Sequence, residues 1–248
     1  MLATHDNLDV SWVTTIFLAT CAVRTVLMPL VIKSTKAGSK LKLMSPELDQ
    51  IKKKYGNANT SNNTEMRNEI QQVMQKHGVT PFSPFMGMLV QFPIIITFFV
   101  TLRRMATEIP SFADGGYLWF TDLSVPDPDG LMRLPLLASF STLMAMELSF
   151  SYNKNSPALL KNIMRGVSMS FVVLTRGFPQ AIHVYWISSA MYSVVQTWMI
   201  HNPSFRKMCG IVDTSHLDKK KEEKPIRYAY DPERLTRKGK GKGKGKGK

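Results

Sequence analysis

The stretch TCAVRTVLMPLVIK, residues 20 to 33, sets Arg24 inside an apolar run, nine positions before the first lysine, Lys33. The composition does not account for a guanidinium there. With 44% hydrophobic and 20% charged residues, the 248-residue chain would pass on average for a soluble protein of one or two domains. A window of about 19 residues shows what the average conceals, which is long segments nearly free of charge alternating with strongly basic ones. That pattern predicts an all-α membrane protein with five transmembrane helices.

The expected spans are 10–32, with Arg24 its one charge; 82–102, with none; 131–150, with Arg133 and Glu147 toward its ends; 163–177; and 179–200, again uncharged. The fourth is the weakest, since only ten residues separate Arg165 from Arg176, so it is short or its arginines snorkel or face protein. Orientation follows from where Lys and Arg collect. Loop 33–80 carries nine basic residues against four acids, and the tail 201–248 carries fifteen against six. Both are expected inside, as is the short loop 151–162 with Lys154 and Lys161. The loop 103–130 has five acids and no base from 105 onward, and the N-terminal segment 1–9 has two aspartates and no Lys or Arg, so both are expected outside. An outside N-terminus and an inside C-terminus require an odd number of crossings, which five spans provide.

The inner loop 33–80 reads as an antiparallel helical hairpin. Ala37, Leu41, Met44, Leu48, Ile51 and Tyr55 follow a 4,3,4,3,4 spacing that places them on one helix face. Gly56 ends that arm, and Pro46 is expected to kink it. A second arm carries Met66, Ile70 and Val73, with Asn62 and Glu65 as its start signal and Gly78 as its stop. Arms of about 17 residues would project about 25 Å. A hairpin lying flat on the membrane surface fits the same pattern.

Of the formal charge of +14, the tail supplies +9 and ends in alternating glycine and lysine, a pattern expected to be disordered and extended. Anionic lipid, an ornamental low-complexity end and an RNA-rich partner all remain open as readings of this tail. Cys21 and Cys209 match no metal-ligand spacing and read as free thiols, and the five histidines are scattered. No Ser, His and acid arrangement and no phosphate loop is found, so neither an enzyme nor a cofactor is implied. No secretory or Arg-rich, acid-poor transit segment precedes the first span, which is compatible with a chain that begins after a removed targeting segment.

Several motifs then carry a resemblance. QKHGVTPFSPFMGMLVQFPIIITFF, residues 75–99, resembles the entry to the second span of YidC-type membrane protein insertases. PELDQIKKKYG (46–56) resembles the family's hairpin, GGYLWFTDLSVPDP (115–128) its outer loop, and FPQAIHVYWISSAMYSVVQ (178–196) its last span. The similarity covers residues 11 to 200, with the outer loop most similar to the mitochondrial oxidase-assembly branch. The resemblance implies a hydrophilic groove open to the inner side and to lipid but closed to the outer side, with Arg24 in it. Further groove candidates are Gln91, which would otherwise satisfy a carbonyl freed by Pro93; Glu147, through a water-bridged pairing with Arg24 or as a snorkelling acid; and the aromatic pair Tyr185 and Trp186, which would otherwise pack against neighbouring helices. Met86, Met88, Met144 and Met146 read as adaptable packing.

The implied partners are nascent membrane protein chains, the lipid bilayer and the ribosome. Ribosome or nascent-chain contact falls to Lys219, Lys220, Lys221, Lys240, Lys242 and Lys244 in the tail, with Lys52, Lys53 and Lys54 of the hairpin secondary. The implied place is the mitochondrial inner membrane, with hairpin and tail in the matrix, or a bacterial plasma membrane as second choice. Physics reaches Arg24 independently. An arginine about 5 Å from the midplane costs ~2.5–3.5 kcal/mol on insertion scales and ~10 or more in simulations, so it should face a wet interior cavity. Two other classes remain as alternatives: a small-solute transporter, which usually shows repeated halves not found in this sequence, and a scaffold that binds finished membrane subunits.

Overall fold

A computed structural model describes residues 1, 10–55, 62–80, 86–127, 130–153, 156 and 158–214. Among them the structure is helical, with no β-strand beyond one isolated bridge between Tyr117 and Phe120. The helices are α1 (Trp12–Val26), α2 (Met28–Tyr55), α3 (Asn62–Lys76), α4 (Met86–Glu108), α5 (Arg133–Tyr152), α6 (Ala158–Thr175), α7 (Gln180–His201) and α8 (Pro203–Met208). Two of them, α5 and α6, are long and apolar enough to cross a membrane, and α1 with α2 makes a third if that bent pair is one span. α4 and α7, with 23 and 22 residues, are about 33–35 Å long at 1.5 Å per residue, the thickness of a hydrocarbon core.

The first expected span is broken. α1 starts at Ser11, whose hydroxyl accepts from the Thr14 amide, and stops at Val26; α2 leaves Leu27 at 52° to it. Pro29 explains the break, because it cannot donate to the carbonyl of Thr25 and its ring crowds that turn. α2 then runs unbroken to Tyr55, past the boundary expected at residue 33. The lysines at 33, 36, 40 and 42 mark a change of medium, yet lysine is a good helix former and gives no reason to stop. Pro46 lies inside α2, which continues beyond it.

α2 and α3 form the hairpin. Lys54 Nζ lies 2.5 Å from Glu69 Oε1, and His77 Nε2 lies 3.5 Å from Glu47 Oε1; later residues of one arm meet earlier residues of the other, so the arms are antiparallel. Met44 and Ile51 of the expected apolar face are buried. α3 ends as its sequence requires. Gly78 takes a positive φ of 62° while its N–H donates to the Gln75 carbonyl and that of Val79 to Met74, the paired bonds of a glycine-stopped helix. The turn 56–61 lies outside the described residues.

α7 is the hub, packed against α5, α1 and α4. At one end, here the loop end, the segment between α4 and α5 folds over the bundle. The N–H groups of Gln180 and Ala181 would be orphans at the start of α7; they donate to the carbonyls of Val125 and Leu123 at 3.0 and 3.1 Å. Trp12 donates to Ser111 Oγ at 3.0 Å and packs on Phe112. With Ile16, Leu102, Phe112, Leu123 and Ile182, all fully covered, it forms an apolar plug at that end. Gly115 and Gly116 make the fold-over feasible: a Cβ on the first would sit 2.3 Å from Trp12 and on the second 1.7 Å from the Phe120 carbonyl.

At the other end, the hairpin end, Tyr152 of α5 stacks on His201 of α7 at 4.0 Å, and Lys42 Nζ donates to Asn153 Oδ1 at 2.9 Å. The expected loose tail starts as structure: Asn202 caps α8, Gly210 at φ 63° stops it, and Ile211 and Thr214 are buried.

Candidate functional site

Arg24 lies in the last turn of α1, twelve residues and thus about 18 Å from its start, beyond the midpoint of a ~30 Å core measured from the loop end. A cation there also suits the negative end of the helix dipole. Nη1 donates to Ser193 Oγ at 3.0 Å and Nη2 to Ser189 Oγ at 2.5 Å, both on α7, and the guanidinium carbon lies 5.7 Å from the centre of the Tyr192 ring. No carboxylate among the described residues lies within ion-pair distance of it. Hydroxyls accept hydrogen bonds without supplying charge, so the positive charge is held in place and left uncancelled.

Beside it opens a cavity of about 570 Å³. Gln91 of α4 and Tyr185 and Trp186 of α7 line it with Arg24, so four of the five groove residues expected from sequence meet there. Tyr185 is 1% exposed, and its ring stacks on Phe98 at 4.6 Å and 12°. Trp186 packs on Phe171 at 4.3 Å. The aromatic pair therefore lines the cavity and packs neighbouring helices at once.

Glu147 has its partner on the next helix: its two oxygens accept from Arg165 of α6 at 2.5 and 3.0 Å, and it is not among the residues that line the cavity. One turn of sequence geometry explains this. α5 and α6 are antiparallel neighbours, also joined by Ser139 Oγ donating to the Ser168 carbonyl, and that register sets residue 147 beside 165. The pair resolves how α6 carries an arginine, by giving it an acid on the next helix.

Sequence reading missed Ser189, Ser193, Gln196 and Thr197, which also line the cavity. The signal was present. Tyr185, Ser189, Ser193 and Gln196 recur at spacings of four, four and three, a polar stripe along one face of an uncharged helix. Lys53 and Lys54 are exposed on the hairpin, where Lys54 meets Glu69 and Tyr55 Oη donates to the same carboxylate at 2.8 Å. Lys52 lies in α2. Lys219, Lys220, Lys221, Lys240, Lys242 and Lys244 lie outside the described residues.

The fold and site define a class, a helical membrane protein whose bundle surrounds a cation-bearing cavity plugged at one end. Its family follows from comparison: residues 3–207 match the family model described as 60Kd inner membrane protein, and the chain belongs to that family, the one whose motifs its sequence resembles. It is 35% identical over 214 residues to the mitochondrial inner membrane protein OXA1 of Arabidopsis thaliana, covering 84% of this chain and 49% of that protein. With the mitochondrial inner membrane protein OXA1L of Bos taurus the identity is 30% over 239 residues, covering 94% and 51%. With the membrane protein insertase MisCA of Bacillus subtilis it is 27% over 204 residues, covering 82% and 74%. The chain thus spans about half the length of the mitochondrial relatives.

Proposed function

We propose that this chain is a membrane protein insertase, acting without covalent chemistry on newly made hydrophobic segments. The observation that carries the reading is Arg24, a cation with no acid partner among the described residues, facing a 570 Å³ cavity beneath an apolar plug. Polar flanks of an entering segment cost several kcal/mol each to pass through hydrocarbon. A wet, positively charged half-channel shortens the dry path, so the barrier falls without an energy-consuming cofactor. Acidic residues of the translocated flank are drawn to Arg24, and the apolar part leaves sideways into lipid along α4 and α7.

The reading takes five spans, built by α1 with the start of α2, then α4, α5, α6 and α7, with the loop end outside and the hairpin end inside. The charge asymmetry of the loops supports it. Relatives named as mitochondrial inner membrane proteins support a place in that membrane, hairpin and tail in the matrix, with a bacterial plasma membrane as second choice. The basic tail, with the hairpin lysines secondary, would hold a translating ribosome at the entrance, and the activity would aid assembly of respiratory complexes. The test is insertion of a translated substrate into lipid vesicles containing this protein alone. Protease-protected, membrane-integrated product is expected; binding of finished subunits without insertion would mark the chain as a scaffold.

A further inference from the structure

Two buried polar atoms at this cavity make no hydrogen bond of ordinary geometry among the described residues, Arg24 Nε and Tyr185 Oη, although the Ser189 side chain lies close enough to interact with the hydroxyl. Both residues line the same space, and the hydroxyl is near enough to interact electrostatically with the guanidinium. The geometry of α7 explains why they converge. Ser193 and Ser189 hold the two terminal nitrogens of Arg24, and Tyr185 lies one further turn, about 5.4 Å, toward the plug on the same face. Phe98, stacked on its ring, fixes where the hydroxyl can be. A buried donor without a partner is costly, and here two such donors adjoin a charge that no carboxylate among the described residues neutralises.

We propose that Tyr185 Oη is a specificity-determining donor that shares, with Arg24, a carboxylate of the entering chain. The chemistry is selective. A phenol donates strongly to an anion, and a carboxylate has lone pairs enough to accept from a phenol and a guanidinium together. An amide isostere such as Asn or Gln offers one neutral oxygen in place of two charged ones, so both donors bind it more weakly, and its N–H₂ finds no acceptor on Arg24. The cavity thus prefers Asp and Glu over their amides, and Tyr185, nearest the plug, marks the deepest point at which such a side chain is held by hydrogen bonding. Both donor atoms are covered, so the carboxylate takes them as it displaces the guanidinium from the serine hydroxyls.

This inference rests on the groove reading proposed above for Arg24, and the test separates the two. A synthetic apolar peptide with one Asp in its N-terminal flank, and its Asn twin, are titrated against the full chain in nanodiscs. Wild type is expected to bind the Asp peptide more tightly. In Tyr185→Phe, which keeps the ring and its stacking, that preference should fall about tenfold, the size of one hydrogen bond to a charged group. Arg24→Ala should abolish it. If Arg24→Ala abolishes the preference and Tyr185→Phe leaves it intact, the tyrosine inference fails and the groove reading stands; if neither changes it, or wild type shows none, both fail. Replacing Tyr185 by 3,5-difluorotyrosine, a stronger donor of nearly the same shape, should raise the preference, and a fall or no change would overturn the inference even were the Phe variant unstable.

Discussion

Arg24 is held by neutral hydroxyls instead of an acid, and that choice has a measurable consequence. Were its function structural, removing it would mainly loosen α1 from α7; because its charge is uncancelled, removal should act on charged cargo. Arg24→Ala is expected to slow insertion of substrates with acidic translocated flanks at least tenfold while neutral-flank substrates insert as before and the thermal midpoint of the protein holds. Arg24→Lys should retain part of the rate, since it keeps the charge and loses the planar fork. Equal insertion of acidic-flank substrates by wild type and Arg24→Ala would remove the electrostatic role. Arg24 was legible because a lone charge in an apolar run is conspicuous. Ser189 and Ser193 were not, since serine is tolerated anywhere in a span and only the stripe it forms with Tyr185 and Gln196 gives it meaning. The Arg165 partner of Glu147 was not legible for a different reason: sequence gives the depth of a side chain along its span but not the helix it faces.

The same limit appears one level up, in the elements. All five expected spans contain helix, and the second hairpin arm ends where Gly78 stops it, because caps and periodicity are local. The break at Leu27 was readable from Pro29 and went unread beneath the uninterrupted apolar run. The acidity of the loop between α4 and α5 and its resemblance to the family's outer loop say nothing of its backbone closing the N-terminus of α7. That closure depends on Gly116. Gly116→Ala would place a methyl group against backbone, and overpacking of that kind costs typically 1–3 kcal/mol, so a lower thermal midpoint and faster amide exchange at Gln180 and Ala181 are expected. Gly166→Ala in α6 is the contrast, since nothing lies within 4 Å of that Cβ, and it should stabilise by about 0.5–1 kcal/mol through helix propensity. The hairpin offers a pH test. Hydrogen bonds from Lys54 first and Tyr55 second hold the Glu69 carboxyl below its ordinary value of 4.5. A depressed carboxylate contributes stability that is present above that value and lost as pH falls through the lower folded one. Amide protection between residues 50 and 72 should therefore weaken only below about pH 4.5, and Glu69→Gln should flatten that dependence.

For the whole molecule, charge and packing have to agree on sidedness. Cysteines introduced near Asp122 and near Asn59 should react with impermeant reagents from opposite sides of the membrane; labelling of both from one side would sink the five-span arrangement. The tail tests the remaining partner. Residues 201–214 include α8 and the buried Ile211 and Thr214, so a truncation that spares the bundle must begin at 215. Residues 215–248 hold thirteen basic against five acidic side chains, a net +8. If these bind ribosomal RNA, each phosphate contact releases counterions, and log affinity should fall against log salt with a slope of roughly −0.7 to −0.9 per contact. Attraction to anionic lipid also weakens with salt, so salt alone does not separate the two partners. Detergent-solubilised protein, free of anionic lipid, does: deletion of 215–248 should there abolish most ribosome co-sedimentation at low salt, while insertion of a short, ribosome-independent substrate by the same truncated chain in vesicles survives, because the cavity and its plug lie wholly before residue 215. Co-sedimentation equal to that of the intact chain would move the ribosome contact to the hairpin, where Lys53 and Lys54 stand exposed, and charge reversal of those two would then be the decisive variant.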